Sequence, residues 1–327
     1  METVGNIWMW SIFLGTVAVM LAIDLFLVGG GKKHRVSFKE AATWSVVWIS
    51  VSLAFAGWLW WHLEATAGPD VAREKSLEFI TGYLIEKSLA VDNVFIWLML
   101  FGYFGVPVDL QRRVLVYGVV GAIAMRTLMI LGGALLITRF HWILYVFGVF
   151  LLVTGVKMFW FAEEKPDLDD NPVVKWLRRH LNVTTTFSGE RFFVTEKGVR
   201  HATPLFLALA MVESSDLIFA VDSIPAIFAI TADPFIVLTS NVFAILGLRA
   251  MYFLLADVAD RFSLLKYGLA VVLMFIGVKM VLIDVYAIPV GFSLAVVFTI
   301  IGASVGLSLR LDAKRREEVA LTNLADR

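Results

Sequence analysis

The chain of 327 residues is too apolar for a soluble protein, because 59% of its residues are hydrophobic, only 17% are charged and the mean hydropathy is +0.81. Soluble domains are nearer half apolar and a quarter charged, so this composition predicts a protein of the lipid bilayer. The formal net charge is zero, which gives no reason to expect nucleic-acid binding, and the absence of cysteine excludes disulfides, thiolate catalysis and thiolate metal sites.

Nine stretches of about 20 mainly apolar residues, the length with which a helix crosses the hydrocarbon, follow one another along the chain. They are 6–30, 42–63, 77–103, 114–138, 142–161, 203–228, 234–256, 267–285 and 287–309. The first lacks the basic leader and the small-residue cleavage site of a signal peptide, so we expect it to stay in the mature protein. The sequence therefore predicts an all-α polytopic membrane protein with a single transmembrane domain, 1–327.

Lys and Arg are distributed unevenly between the two sets of connections. With the N-terminus outside, the inner connections hold 20 of the 28 Lys and Arg residues, the outer connections hold 3, and the other five lie within apolar stretches. Basic residues concentrate on the cytoplasmic side of membrane proteins. The N-terminus is therefore predicted to lie outside the cytoplasm and the C-terminus inside it.

The longest connection, about 162–202, is then cytoplasmic. It begins with five acidic residues between 163 and 170, and 174–181 reads as a short basic amphipathic helix on the inner membrane surface. A solvated connector is the favoured interpretation. A cation-collecting or regulatory role for its acids is left open.

Two parts of the chain repeat one order of intramembrane charges: two carboxylates six residues apart, then an arginine, then a lysine. The order is Glu86, Asp92, Arg126 and Lys157 in the first part, and Asp216, Asp222, Arg249 and Lys279 in the second. Each part spans three predicted helices, about 77–161 and about 203–285, so the second enters the membrane from the opposite face. Such an inverted three-plus-three repeat is typical of secondary transporters that hold substrate near the midplane.

Five acids inside apolar stretches are candidate ligands for a cation, because charge at membrane depth is costly and usually functional. They are Glu86, Asp92, Glu213, Asp216 and Asp222. Supporting oxygens come from Asn93, Ser223 and Asn241. An all-oxygen set suits Mg, Ca or Mn, whereas Zn, Cu and Ni sites normally recruit imidazole or thiolate. Spacing alone does not choose among the three metals.

Helix periodicity limits which of these acids meet. Glu213 and Asp216 are three residues apart and share a helix face, whereas Asp222 lies about 9 Å beyond Asp216 along a regular helix. Pro225 cannot donate to the Val221 carbonyl, so the sequence predicts a kinked or broken helix there, with a freed carbonyl as an extra ligand.

The alternative interpretation is that the acids pair with basic residues in a neutral structural lattice. Arg126 and Arg249 are the expected buried partners, since Lys157 and Lys279 lie close enough to helix ends to reach the interface. Asp24, near the inner end of the first helix, fits a ligand and a structural role equally well.

Three segments carry a resemblance to a known family: EKSLAVDNVF at 86–95, FAVDSIPA at 219–226 and TSNVFAILGLRAMY at 239–252. On these segments the chain resembles the TerC family, over essentially all nine predicted helices. The resemblance implies a LysE-superfamily-like protein of the bacterial inner membrane that exports Mn²⁺ from the cytoplasm. It also implies that Glu86, Asp92, Glu213, Asp216 and Asp222 form the metal path. Ser214 departs from the aliphatic residue expected in relatives.

The favoured function is a secondary transporter rather than an enzyme, with Mn²⁺ as cargo, no prosthetic group and no nucleotide-binding loop in the sequence. Exchange for protons is a hypothesis. A membrane scaffold or metal-homeostasis partner without transport of its own is the alternative, and an intramembrane hydrolase is disfavoured because nothing defines its substrate pocket. The sequence leaves open the coupling ion, the selectivity for Mn²⁺ over Ca²⁺ or Fe²⁺, the oligomeric state and any protein partners.

Overall fold

The computed structural model describes residues 3–26, 37–140, 142–160, 172–196, 198–256, 264–282, 284–286 and 288–325. Within these ranges the chain forms eleven helices and one two-stranded hairpin. In the first half these are α1 (Ile7–Phe26), α2 (Phe38–Ala67), α3 (Pro69–Tyr103), α4 (Val108–Arg139), α5 (Ile143–Trp160) and α6 (Pro172–His180). They continue as β1 (Phe193–Glu196), β2 (Val199–Ala202), α7 (Pro204–Phe228), α8 (Pro234–Ile245), α9 (Leu248–Ala256), α10 (Leu265–Val281) and α11 (Val290–Ala325).

Seven helical spans within the described ranges are long and apolar enough to cross a membrane. They are α1, α2, α4, α5, α7, α8 with α9, and α11. The other two predicted spans correspond to α3, which carries charged residues in its apolar part, and to α10, which has 17 residues. The structure thus confirms an all-α multi-pass membrane protein, with seven spans that meet these requirements.

The α8 helix lies at the centre of the helix packing. Every residue from Phe235 to Ile245 is buried, whereas most residues of the spans formed by α5 and α11 are at least partly exposed. Exposed apolar side chains on outer helices suit contact with lipid. A fully buried α8 can instead carry polar residues such as Asn241 in contact with protein on every side.

The predicted helix at 234–256 is interrupted. The α8 helix ends at Ile245 and α9 begins at Leu248, and between them Gly247 has a φ of +85°. Glycine reaches this left-handed region without steric cost, and a Cβ at Gly247 would lie 2.6 Å from the Trp48 ring. Of the kink or break predicted at Pro225, the break is wrong, because α7 continues through this proline to Phe228.

The α5 and α10 helices, the third helices of the two repeated segments, pack closely against each other. Glycines make this approach possible: a Cβ at Gly277 would lie 2.8 Å from the Gly148 carbonyl oxygen, and one at Gly155 would lie 2.8 Å from the Ala270 carbonyl oxygen. Small residues at helix crossings are the usual means of close packing in membranes.

The long connection contains more structure than the sequence predicted. The amphipathic helix expected at 174–181 is confirmed as α6, which buries Val174 and Leu177 and exposes Trp176. The antiparallel hairpin of β1 and β2, with Phe193 opposite Ala202, was not predicted. The acidic stretch at 163–170 lies outside the described residues.

Candidate functional site

Six polar side chains lie buried together where α3, α4, α7 and α8 meet. They are Glu86, Asn93, Arg126, Asp216, Ser223 and Asn241, and we call them the buried polar cluster. Each is at most 2% exposed. Because burial of an uncompensated charge is strongly unfavourable, the cluster depends on its internal contacts.

Arg126 of α4 is the hub of this cluster. Its Nη2 lies 3.2 Å from Asp216 Oδ1, its Nη1 donates to Ser223 Oγ at 3.1 Å, and the same guanidinium forms an ion pair with Glu86. One arginine therefore links a carboxylate of the first repeated segment with a carboxylate of the second. Hydrogen bonds between ionised groups of this kind are the strong ones.

Two asparagines complete the shell around the carboxylates. Asn241 Nδ2 donates to Glu86 Oε2 at 3.0 Å, and Asn93 Nδ2 donates to Asp216 Oδ1 at 3.1 Å. The amide oxygens of Asn93 and Asn241 and Oδ2 of Asp216 are buried and accept no hydrogen bond from any residue that the structure describes. These three oxygens therefore have unused lone pairs, and carboxylate and amide oxygens coordinate hard cations through such lone pairs.

Glu213 lies beside the cluster on α7, one turn before Asp216, and is half-buried. Its carboxylate fills the position that a Cβ would take at Gly121 of α4. The absence of a side chain at Gly121 is therefore what lets Glu213 pack against α4.

The predicted five-acid site is assembled only in part. The side chains of Asp92 and Asp222 lie outside the described residues. Among the side chains that are described, no three Asp, Glu or His groups converge closely enough to hold a metal ion. Glu86 and Asp216 meet through Arg126, which agrees with the expectation that this arginine pairs with buried acids.

Asp24, a candidate ligand from α1, forms a second buried ion pair. Its Oδ2 lies 3.3 Å from Nε of Arg249 on α9, so the other expected basic partner also contacts a buried carboxylate. This contact couples α1, which precedes the repeated segments, to the second of them.

Lys87 of α3 has a role that the sequence analysis missed, because buried basic residues were considered only as partners for acids. Its Nζ donates to the carbonyl oxygens of Ala244 at 3.1 Å and Leu246 at 3.3 Å. These carbonyls lie at the C-terminal end of α8, where the helix dipole favours positive charge. Lys87 therefore stabilises the break between α8 and α9.

These features define a class: a multi-pass helical membrane protein whose apolar helices enclose a network of charged and amide side chains. The comparison with known families agrees. The chain belongs to the integral membrane protein TerC family, whose sequence profile matches residues 71–318.

Relatives match almost the whole chain. The Alx protein of Escherichia coli strain K12, described as a proposed membrane-bound redox modulator, is 62% identical over 301 residues, which are 92% of this chain and 94% of the relative. The Alx protein of Salmonella typhi is 58% identical over 319 residues, 98% of this chain and 99% of the relative. An uncharacterized membrane protein of Myxococcus xanthus is 47% identical over 312 residues, 94% of this chain and 95% of the relative. No solved structure matches the chain significantly.

Proposed function

We propose that the chain is a secondary transporter that exports Mn²⁺ from the cytoplasm across the bacterial inner membrane through the buried polar cluster. The observation that carries this proposal is the meeting of Glu86 and Asp216, from the two repeated segments, inside apolar helices at 1% exposure. Carboxylates at this depth are costly, and such groups usually mark an ion pathway. Their oxygen chemistry, with that of Asn93 and Asn241, suits Mn²⁺.

The architecture that we propose has nine spans and an inverted repeat. In this arrangement α3 and α10 also cross the bilayer, α3 to α5 form the first repeat, and α7 to α10 form the second. The twofold order of acids, arginine and lysine supports it, as does the packing of α5 against α10 and of α3 against α7. The distribution of Lys and Arg supports a periplasmic N-terminus and a cytoplasmic C-terminus.

The interrupted helix supports transport as well. Secondary transporters build their midplane sites from discontinuous helices, whose end groups and unwound backbone contact the ion. Here Asn241, which contacts Glu86, lies about one turn before the end of α8. We propose that Asp92, Glu213 and Asp222 supply the remaining carboxylates as the cation passes, with proton exchange as the coupling to be tested.

Two other functions deserve comparison. A membrane scaffold or metal-homeostasis partner predicts no ion movement by the protein alone. The redox description belongs to the Alx relatives; this chain has no cysteine, so its own side chains support no thiol–disulfide exchange. A charged network buried among apolar helices favours transport over both.

Cellular Mn content tests the proposal. In cells that lack their own Mn²⁺ exporter, the wild-type protein is expected to lower the Mn content under Mn²⁺ load, measured by mass spectrometry. Glu86→Gln, Asp92→Asn, Asp216→Asn and Asp222→Asn are expected to leave it as high as in cells without the protein. The matched control is Glu74→Gln, which changes an exposed acid on the same helix as Glu86. If all four variants lower cellular Mn as the wild type does, the proposal is wrong.

A further inference from the structure

Arg126 lies between the two carboxylates that the proposed cation site requires. We propose that its guanidinium is the resident counter-cation of this site, and that Mn²⁺ binds by displacing it from Glu86 and Asp216. The inference rests on the proposed function and adds a regulatory role for one residue. It predicts that Arg126 weakens the binding of Mn²⁺ and hastens its release.

The contacts of Arg126 place it where a cation would bind. Its guanidinium forms an ion pair with Glu86 and lies 3.2 Å from Asp216, at 1% exposure. A divalent ion held by the same two carboxylates would lie within a few ångströms of this positive charge. Repulsion at such a distance is strong inside a protein, where the effective dielectric constant is low. Mn²⁺ and the guanidinium therefore compete for the same oxygens.

The charge balance favours exchange over joint occupation. Among the described cluster residues, two carboxylates and one guanidinium leave a net charge of −1. A divalent cation added without movement of Arg126 sets three positive charges against the two carboxylates at the same oxygens, whereas a cation that replaces the guanidinium there matches the charge of the two acids and leaves the guanidinium beside Ser223. Joint occupation is the costlier state, because it keeps the guanidinium and the metal close together at the same oxygens.

The structure also provides a contact that Arg126 can keep after its displacement. Nη1, the nitrogen that also forms the ion pair with Glu86, donates to the uncharged Ser223 Oγ at 3.1 Å, so a guanidinium that turns away from the carboxylates still has an acceptor. The guanidinium is thus held close to the site while the metal occupies the acids. Its return when the metal leaves would again compensate one of the two negative charges, so the two acids are never left without a counter-charge.

Arg249 provides a contrast within the same molecule. It occupies the corresponding place in the second motif and is also 1% exposed, but the carboxylate contact that the structure describes for it is with Asp24 of α1. Neutralisation of Arg249 removes a buried positive charge without freeing Glu86 or Asp216. The two arginines therefore separate competition at the site from a general effect of buried charge.

Mn²⁺ binding to purified protein in detergent tests this inference, with free Mn²⁺ measured from its aqueous electron paramagnetic resonance signal. We expect Arg126→Gln to lower the Kd by about tenfold or more, because a competing charge is removed. Arg126→Lys keeps the charge but loses the fork geometry, so its Kd is expected between that of Arg126→Gln and the wild type. Arg249→Gln is expected to change the Kd less than Arg126→Gln.

Flux through proteoliposomes separates failure of the inference from failure of the proposed function. At saturating Mn²⁺ we expect slower flux with Arg126→Gln than with wild type, because release is slowed. If wild type transports Mn²⁺ and Arg126→Gln binds it equally or more weakly, the inference is overturned and Arg126 only positions the acids. If Arg126→Gln does not fold, Arg126→Lys takes its place: Mn²⁺ binding that is equal to or weaker than that of the wild type then overturns the inference. If wild type does not move Mn²⁺, the proposed function itself is wrong, whether or not the protein binds the ion.

Discussion

Asp24 on α1 and Arg249 on α9 form a buried ion pair, with 3.3 Å between Oδ2 and Nε. The α1 helix precedes the first repeated segment, so a helix outside the repeats supplies the acid for the arginine of the second motif. Apolar packing reinforces this connection, because the Phe13 ring of α1 lies 6.4 Å from the Phe235 ring of α8. The first helix is therefore fixed to the second repeated segment by both charge and packing.

Loss of the Asp24 carboxylate is expected to destabilise the fold. Asp24→Asn removes the negative partner of a buried guanidinium, and a broken buried ion pair costs about 3–5 kcal/mol. Thermal unfolding in detergent measures the loss, and the double variant Asp24→Asn/Arg249→Gln is expected to lose less than the two single variants added together. As a control, Glu190→Gln breaks the exposed pair with Arg113 and is expected to cost at most about 1 kcal/mol. Equal losses in both pairs would contradict this role for Asp24.

The break between α8 and α9 is expected to require glycine at position 247. Gly247→Ala places a Cβ at a φ of +85° and 2.6 Å from Trp48, which strains the backbone and displaces the ring. We expect a loss of about 1–3 kcal/mol in thermal unfolding. Gly302→Ala on α11 is the control, because a Cβ there meets nothing within 4 Å. Full stability of Gly247→Ala would mean that the break tolerates a side chain.

We expect transport to require the Glu213 carboxylate in its present position against α4. Gly121→Ala puts a methyl group where the Glu213 carboxylate lies, so the carboxylate must move. We expect correctly folded protein with Mn²⁺ flux lowered at least severalfold in proteoliposomes. Gly132→Ala, on the same helix but with open space around the Cβ, is expected to keep the flux of the wild type. If Gly121→Ala transports Mn²⁺ at the wild-type rate, Glu213 is not part of the proposed path.

Lys87 is expected to hold the end of α8 in place. Lys87→Met keeps much of the chain length but leaves the Ala244 and Leu246 carbonyls without their donor, and a buried acceptor without a donor costs about 1–3 kcal/mol. Thermal unfolding in detergent is expected to show a loss of this size. Lys157→Met, which changes an exposed lysine on α5, is the control and is expected to be close to neutral. A stable Lys87→Met protein would show that these carbonyls need no donor.

Hydropathy and isolated charges predicted much of this structure, because both signals are local. The stretch predicted at 203–228 is α7, Pro204–Phe228, and the acids Glu86 and Asp216 were conspicuous as charges within apolar sequence. A hydropathy window of about 20 residues cannot detect strands of four residues, so the hairpin of β1 and β2 was not predicted.

Features that depend on contacts between helices distant in the sequence could not be predicted from the sequence alone. Glycine is frequent in membrane helices, so Gly247 gave no sign of a break. Only the approach of Trp48 and the reach of Lys87 show why the chain turns there. The sequence named Arg126 as a partner for acids, but its position between Glu86 and Asp216 follows from the packing of α4 against α3 and α7.

Mn²⁺ flux into proteoliposomes that contain only the purified protein is the most direct test of transport, because no cellular partner is present. With an imposed Mn²⁺ gradient, the wild-type protein is expected to let Mn²⁺ enter the vesicles over time. Asp216→Asn is expected to show only the background rate of entry, and Glu74→Gln the wild-type rate. If folded wild-type protein lets Mn²⁺ enter only at the background rate, transport is contradicted and a scaffold or partner role is favoured. This holds whether or not the protein binds Mn²⁺.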